Sequence, residues 1–188
     1  MEKMINCKFK INKTVIQLML TDITEMDTEV IVNAANSSLL GGGGVDGSIH
    51  QKGGHSILNE CKKIRNNEFP EGLPTGQAVL TSAGNLKTSY IIHTVGPIWI
   101  DGVHGEPEFL KQAYVSSLKL ALSQGFSSIS FPSISTGAYK YPIKEASVIA
   151  LSTIRDFVAT QEIISRVVMV LFSIKTYKIY LASAQEIL

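Results

Sequence analysis

Two stretches of this chain combine polar side chains with bare backbone in a way that suits binding of an anion and handling of water. The first is VIVNAANSSLLGGGGVDGSIH at 30–50. Its four consecutive glycines, Gly41–Gly44, lack Cβ, so the backbone can approach a ligand closely and turn several N–H groups inward. Ordering such a run is entropically costly, which argues against a mere spacer; a mobile surface loop is the plain alternative. The Asn36 amide can donate to and accept from hydroxyls, and the Asp46 carboxylate can accept from hydroxyls or orient water. If a helix begins near Asp46, then Asp46 and His50 share one face. The competing readings are an N-cap for Asp46 and a structural or surface histidine for His50.

The second stretch is SISFPSISTGAYKYP at 128–142. Small hydroxyl residues and Gly137 just beyond a strand suit a phosphate-binding turn in which backbone N–H groups hold oxygens without a lysine. Tyr139 stands at the edge of that turn, where its ring could pack on a sugar; a polar loop with structural tyrosines is the alternative. A third piece, TDIT at 21–24, could offer a carboxylate and a neighbouring N–H to a purine, and alone reads as an Asp/Thr turn.

Other chemistries lack their residues. Gly42, Gly44 and Gly47 match G-x-G-x-x-G formally, but the dinucleotide fingerprint follows its strand directly, and here Asn33–Gly41 intervene. No GxxxxGK[ST] and no G-x-S-x-G occurs, and Ser135 has no identifiable histidine base. His55 and His104 do not have metal-site spacing, so no metal and no cofactor is expected. His93, inside YIIHTVG, reads as a packed strand histidine. Trp99 and the DGVHGEP loop either rim a pocket or cover a sheet edge.

The elements that must position these groups are legible as apolar runs. Strands are expected at 15–20, 28–33, 77–84, 90–96, 127–133 and 167–173, several apolar almost throughout, as in strands covered on both faces. Helical spacing marks 47–64, with Gly53 and Gly54 as a weak point, then 106–125, 142–158 and 176–188. Strands alternating with helices predict a mixed or mostly parallel sheet with helices on both faces, and 188 residues suit one domain, 1–188.

Composition narrows the partners. Hydrophobic residues make up 45% and charged residues 18%, as in a globular domain, and 17 basic against 16 acidic side chains leave a net charge of +1. That balance offers no general attraction to nucleic acid or to a membrane. Cys7 and Cys61 form no CxxC, so free thiols in a reducing cytoplasm are expected; MEKMINCKFKINK has no apolar leader core, and no run is long enough to span a bilayer.

Taken together, TDIT at 21–24, VIVNAAN at 30–36, GGGGVDGSIH at 41–50, YIIHTVGP at 90–97 and FPSISTGAYKYP at 131–142 resemble the macrodomain family, specifically its ADP-ribosyl-hydrolase (MacroD-like) branch, across about residues 14–182. The resemblance implies a three-layer α/β/α macrodomain-like fold with a mixed central sheet flanked by helices. It also implies a monomer that hydrolyses carboxylate esters of ADP-ribose on proteins, or O-acetyl-ADP-ribose, with a non-catalytic ADP-ribose reader as the alternative. A nucleic-acid or poly(ADP-ribose) module would want a basic or aromatic surface that the charge balance does not suggest.

By the same resemblance, Asp22 and Ile23 meet the adenine, Asn36 the distal ribose, and Gly43, Gly44 and Val45 the diphosphate and ribose. Asp46 is the catalytic aspartate, with His50 supporting it. Ser135, Thr136, Gly137 and Ala138 form the second diphosphate loop, with Tyr139 beside the distal ribose. Thr21, Ala138 and Lys140 depart from the family's usual glycine, valine or isoleucine, and glycine; these bear on affinity and substrate preference and leave the Asn36/Asp46 pair intact.

Overall fold

A computed structural model describes residues 5–188; the MEKM start of the segment read above for a leader lies outside the described residues. The described residues build seven strands: β1 (Asn6–Ile11), β2 (Thr14–Leu20), β3 (Val30–Ala35), β4 (Ala78–Ser82), β5 (Tyr90–Val95), β6 (Ser128–Phe131) and β7 (Arg166–Leu171). They form one sheet in the order β1-β2-β7-β6-β3-β5-β4. The five interior strands run parallel, while β1 and β4 pair antiparallel at the two edges. All five parallel strands therefore release their loops at the same end of the sheet, the end where open α/β folds hold ligands.

Among the described residues five α-helices cover the sheet: α1 (Gly44–Gly53), α2 (His55–Asn67), α3 (Glu106–Ser123), α4 (Ile143–Val158) and α5 (Ile174–Ile187). Strand residues alternate between two cores. Val30, Val32, Val167 and Met169 face α3, α4 and α5 with Leu110, Ala146, Ile154 and Tyr180. Ile31, Ala35, Val168 and Val170 face α1 and α2 with Ile49, Ile57 and Cys61. Both faces of the central strands are thus buried, which is why those strands read as continuous apolar runs. The architecture is the three-layer α/β/α fold with a mixed central sheet. Among the described residues no helix is long and apolar enough to cross a membrane.

Two details depart from the sequence reading. β1 has no apolar run: Lys8 and Lys10 alternate with Phe9 and Ile11, the pattern of an edge strand that keeps charge on its open side. The helix expected over 47–64 is two helices. Gly54, at φ +86°, ends α1 and opens α2, a left-handed conformation that glycine adopts without steric penalty. Cys7 is half-buried and Cys61 buried, and both thiols are free.

Candidate functional site

β3 ends in Asn33-Ala34-Ala35, and the chain then passes through Asn36 and the glycines into the first turn of α1. Gly43, not Asp46, is the N-cap of α1, so the N-cap reading of Asp46 gives way. Asp46 lies one turn in, 5% exposed, where its charge complements the positive end of the helix. The Gly42 backbone packs tightly against this turn: a Cβ on Gly47 would stand 2.6 Å from the Gly42 carbonyl oxygen.

The two oxygens of Asp46 have different surroundings. Oδ1 accepts a 2.6 Å hydrogen bond from Asn33 Nδ2 and stands 3.4 Å from His50 Nε2. Oδ2 faces Gly42, where a methyl group would lie 3.0 Å from it and 3.1 Å from Asn36 Nδ2. Bare glycine therefore keeps open the gap between Asp46 and Asn36. The Asn36 amide also braces its own loop, donating to the Gly41 carbonyl at 2.9 Å and accepting from Ser38 N–H at 3.0 Å and Ser38 Oγ at 2.5 Å.

Behind Asp46 runs a buried relay of hydrogen bonds. A carboxylate only accepts, so the Asn33 group facing it is the NH2, which also reaches His93 Nδ1 at 3.1 Å. His93 Nδ1 is therefore the acceptor, and its Nε2–H donates to Thr81 Oγ1 at 2.8 Å. Thr81 in turn donates to the Ser82 carbonyl at 3.0 Å. Burial, with His50 close by, pulls His93 down to about 4, so the ring is neutral at pH 7. Burial likewise pushes the adjoining Cys61 thiol up to about 12. Asn33 and His93 are both fully buried.

The opposite wall follows β6. Ser135 adopts φ +66° and Lys140 φ +57°, left-handed conformations uncommon outside glycine. The turn is closed by Tyr141 N–H to the Ser135 carbonyl and Lys140 N–H to the Gly137 carbonyl, both 3.0 Å. Among the described residues, the N–H groups of Thr136, Gly137, Ala138 and Tyr139 find no partner within the chain. Gly96, just past β5, is required here by packing. A Cβ there would meet Ser135 Oγ at 2.2 Å and Ile134 Cγ2 at 2.5 Å. Burial, together with the charge of Asp46, raises the Tyr139 phenol above its ordinary range.

These walls enclose a cavity of about 360 Å³. Of the expected site residues, Asn36, Gly43, Gly44, Val45, Asp46, Ser135, Gly137, Ala138 and Tyr139 line it. His50 sits behind Asp46 instead, and Thr136 turns its hydroxyl back onto Ser133. Asp22 and Ile23 lie outside the cavity, at the end of β2. Asp22 accepts from Thr24 N–H at 2.9 Å and Thr24 Oγ1 at 2.7 Å, and from Lys52 Nζ at 3.1 Å. Burial pulls its carboxyl upward, but these donors outweigh that and hold it below the usual range. Ile23 is buried in the core.

Sequence reasoning missed Asn33, His93 as its partner, Gly96, and Gly42 as the spacer between Asn36 and Asp46. Asn33 at the polar end of an otherwise apolar strand and Gly96 closing YIIHTVG were the available signals.

Comparison with known proteins places the chain and its fold. The Macro domain family profile matches residues 32–150. A macro domain-containing protein of Caldanaerobacter subterraneus subsp. tengcongensis is 49% identical, covering 93% of this chain and 98% of its own length. An O-acetyl-ADP-ribose deacetylase of Citrobacter koseri is 48% identical, covering 85% of this chain and 89% of its own. The structure of the Oceanobacillus iheyensis macrodomain with ADP superposes with a TM-score of 0.95 at 47% identity, covering 98% of this chain and 97% of the other.

Proposed function

This chain belongs to the macrodomain family, and from that premise we propose that it hydrolyses esters on the distal ribose of ADP-ribose. The acyl partner is acetate, as in O-acetyl-ADP-ribose, or a carboxylate side chain of a mono-ADP-ribosylated protein. The observation that carries the reading is the gap at Gly42, open to the cavity and flanked by Asp46 Oδ2 and the Asn36 amide. The similarity to a deacetylase of O-acetyl-ADP-ribose and to a macrodomain with ADP supports the ligand class. A cavity of about 360 Å³ suits a small molecule of which part remains outside.

In this reading the diphosphate lies between the first turn of α1 and the 135–139 turn, held by backbone N–H groups and the helix dipole. Asn36 orients the distal ribose. Asp46 Oδ2 positions a water in the Gly42 gap and takes its proton as the oxygen adds to the ester carbonyl. The acyl–oxygen bond then breaks and the proton passes to the departing ribose oxygen, so a carboxylic acid and ADP-ribose leave. Asn33 keeps Oδ1 anchored so that Oδ2 alone faces the water, a gain in orientation rather than in reactivity.

The test is a time course of ADP-ribose release from both ester classes by wild type and Asp46→Ala. Wild type should turn over. D46A should be about 10²–10⁴-fold slower, the scale of general acid–base assistance, while binding free ADP-ribose within a few-fold. A folded D46A with unchanged rate refutes the mechanism. A wild type that binds ADP-ribose and releases nothing is a reader.

A further inference from the structure

We propose that the loop at 98–105 is a docking rim for the polypeptide that carries the ADP-ribose, taking an apolar side chain of that protein beside the modified residue. This rests on the ester-hydrolase reading and deepens it from ligand to substrate class.

Ile98, Ile100 and Val103 are 63%, 65% and 82% exposed, three large aliphatic side chains displayed together on one short loop. The display is built in. Glu106, 2% exposed, accepts the N–H groups of Ile100, Asp101 and Gly102 on Oε1 at 3.1, 3.2 and 3.2 Å, and that of His104 on Oε2 at 2.7 Å. Burial would raise its carboxyl, but the backbone donors outweigh burial and bring it down to about 2, so it remains an acceptor throughout the neutral range. Asp101 Oδ1 takes the Val103 N–H at 3.0 Å. Beneath the loop the Trp99 indole fills the space at Gly102, where a Cβ would come within 2.7 Å of it, and packs on Tyr141 with ring centroids 4.5 Å apart. A half-buried tryptophan and a buried carboxylate thus hold aliphatic side chains out in water. Exposed clusters of this kind mark contact surfaces.

Position says what they contact. Gly96 and Tyr139 both line the cavity; Ile98 follows Gly96 by two residues, and Trp99 N–H donates to the Tyr139 carbonyl at 2.9 Å. The loop is therefore continuous with the cavity wall beside the proposed distal-ribose position. A cavity of about 360 Å³ admits ADP-ribose in part and no protein, so a polypeptide esterified to the ribose lies at the cavity mouth, and this loop adjoins that mouth through Gly96 and Tyr139. Exposed Lys140, next to Tyr139, adds a positive charge on the same edge, complementary to an acidic chain. Acetate, the smaller acyl group, is too short to reach the rim.

The test compares full-length wild type with the triple variant Ile98→Ser, Ile100→Ser, Val103→Ser on two substrates: O-acetyl-ADP-ribose and a protein mono-ADP-ribosylated on carboxylates. All three positions are exposed, and thermal melts check that the fold is kept. Docking predicts a KM for the protein substrate roughly tenfold higher, with kcat little changed, as when apolar anchors of an interface are truncated. Kinetics on O-acetyl-ADP-ribose stay at wild-type values. Unchanged kinetics on both substrates overturn the proposal. So does an equal loss on both, which would make the loop part of the cavity. A wild-type dimer that the variant dissolves, seen by sedimentation, assigns the face to a second copy and also overturns it. Should wild type cleave neither substrate, the hydrolase reading falls, and calorimetry still decides the rim: weaker binding of the modified protein by the variant, at equal affinity for free ADP-ribose, supports it, and equal affinities for both refute it.

Discussion

Asn33→Ala removes one side chain that never reaches the cavity and should still slow the chemistry. Asn33 is fully buried and gives Asp46 Oδ1 its 2.6 Å donor. A hydrogen bond to a charged group contributes about 1.5–3 kcal/mol, and at 1.36 kcal/mol per decade its loss lowers kcat roughly 10- to 100-fold if Asp46 acts only when correctly aimed. Stability should suffer less than catalysis. The bonds to Asp46 and His93 disappear, but so does Asn33 Oδ1, a buried acceptor for which the described residues offer no partner. Leaving such an atom unsatisfied costs about 1–3 kcal/mol, so its removal offsets part of the loss, and a drop in Tm of a few degrees is expected. Asn33→Asp should be worse than Asn33→Ala at pH 7, because two carboxyls within hydrogen-bonding reach cannot both ionise. The assay is single-turnover cleavage of O-acetyl-ADP-ribose, with ADP-ribose calorimetry and thermal melts on the same preparations. A folded N33A with wild-type kcat, or N33D as active as N33A, would refute the positioning role.

Three further outcomes follow from the geometry. Gly42→Ala places a methyl 3.0 Å from Asp46 Oδ2 and 3.1 Å from Asn36 Nδ2 at a position without positive φ; the fold should persist while turnover falls at least tenfold, about the effect of losing 1.4 kcal/mol of transition-state alignment. A wild-type rate in G42A would move the water elsewhere. Gly137→Glu meets nothing within 4 Å of its Cβ, so the melting curve should barely change, whereas a carboxylate near a diphosphate costs about 1–4 kcal/mol and should weaken ADP-ribose binding tenfold or more. Near-normal affinity by calorimetry would put the phosphates on another wall. His93, held neutral with its folded value near 4 against 6.5 when exposed, makes the unfolded chain the stronger proton binder between those values. Its contribution is therefore complete above pH 6.5 and lost as pH falls towards 4, about 3 kcal/mol in all. Urea unfolding at pH 7, 5.5 and 4.5 should show a shallower decline in His93→Gln than in wild type, and parallel declines would contradict this account.

The glycine run and the 135–139 turn were legible because each lies within one contiguous stretch and because glycine, small hydroxyls and a following helix have local meanings. The parallel core strands were legible because burial on both faces leaves continuous apolar runs. What local reading could not supply was pairing. Asn33 acquires its role from Asp46 and His93, the second of which arrives through β5 beside β3, and in the sequence it reads as one polar residue at the end of VIV. Gly96 matters only because the left-handed Ser135 packs against it. β1 was missed for a different reason: an edge strand keeps half its surface wet, so Lys8 and Lys10 alternating with Phe9 and Ile11 leave no continuous apolar run to find. The TDIT turn was legible as an Asp/Thr turn: Asp22 Oδ1 accepts from Thr24, and Oδ2 accepts from Lys52 Nζ, which arrives from α1 and which no local reading could supply.

The distribution of charge explains why the site is made this way. The chain carries a net charge of +1, and among the described residues no lysine or arginine lines the cavity. A doubly charged diphosphate would then be held by oriented N–H groups at the first turn of α1 and along 136–139, which are fixed by backbone geometry and need little reorganisation when the ligand arrives. That arrangement also protects the aspartate. A lysine close enough to grip the diphosphate would lie within reach of Asp46 and draw Oδ2 away from the water, as Lys52 draws Asp22. Asp46 instead has its anchored oxygen satisfied by a neutral amide, itself held by a histidine that burial keeps uncharged. In the proposed reaction backbone dipoles serve the phosphates while the Asn33 amide anchors Oδ1, which leaves Oδ2 facing the Gly42 gap, and the bare Gly42 backbone is the sequence feature that keeps that gap open.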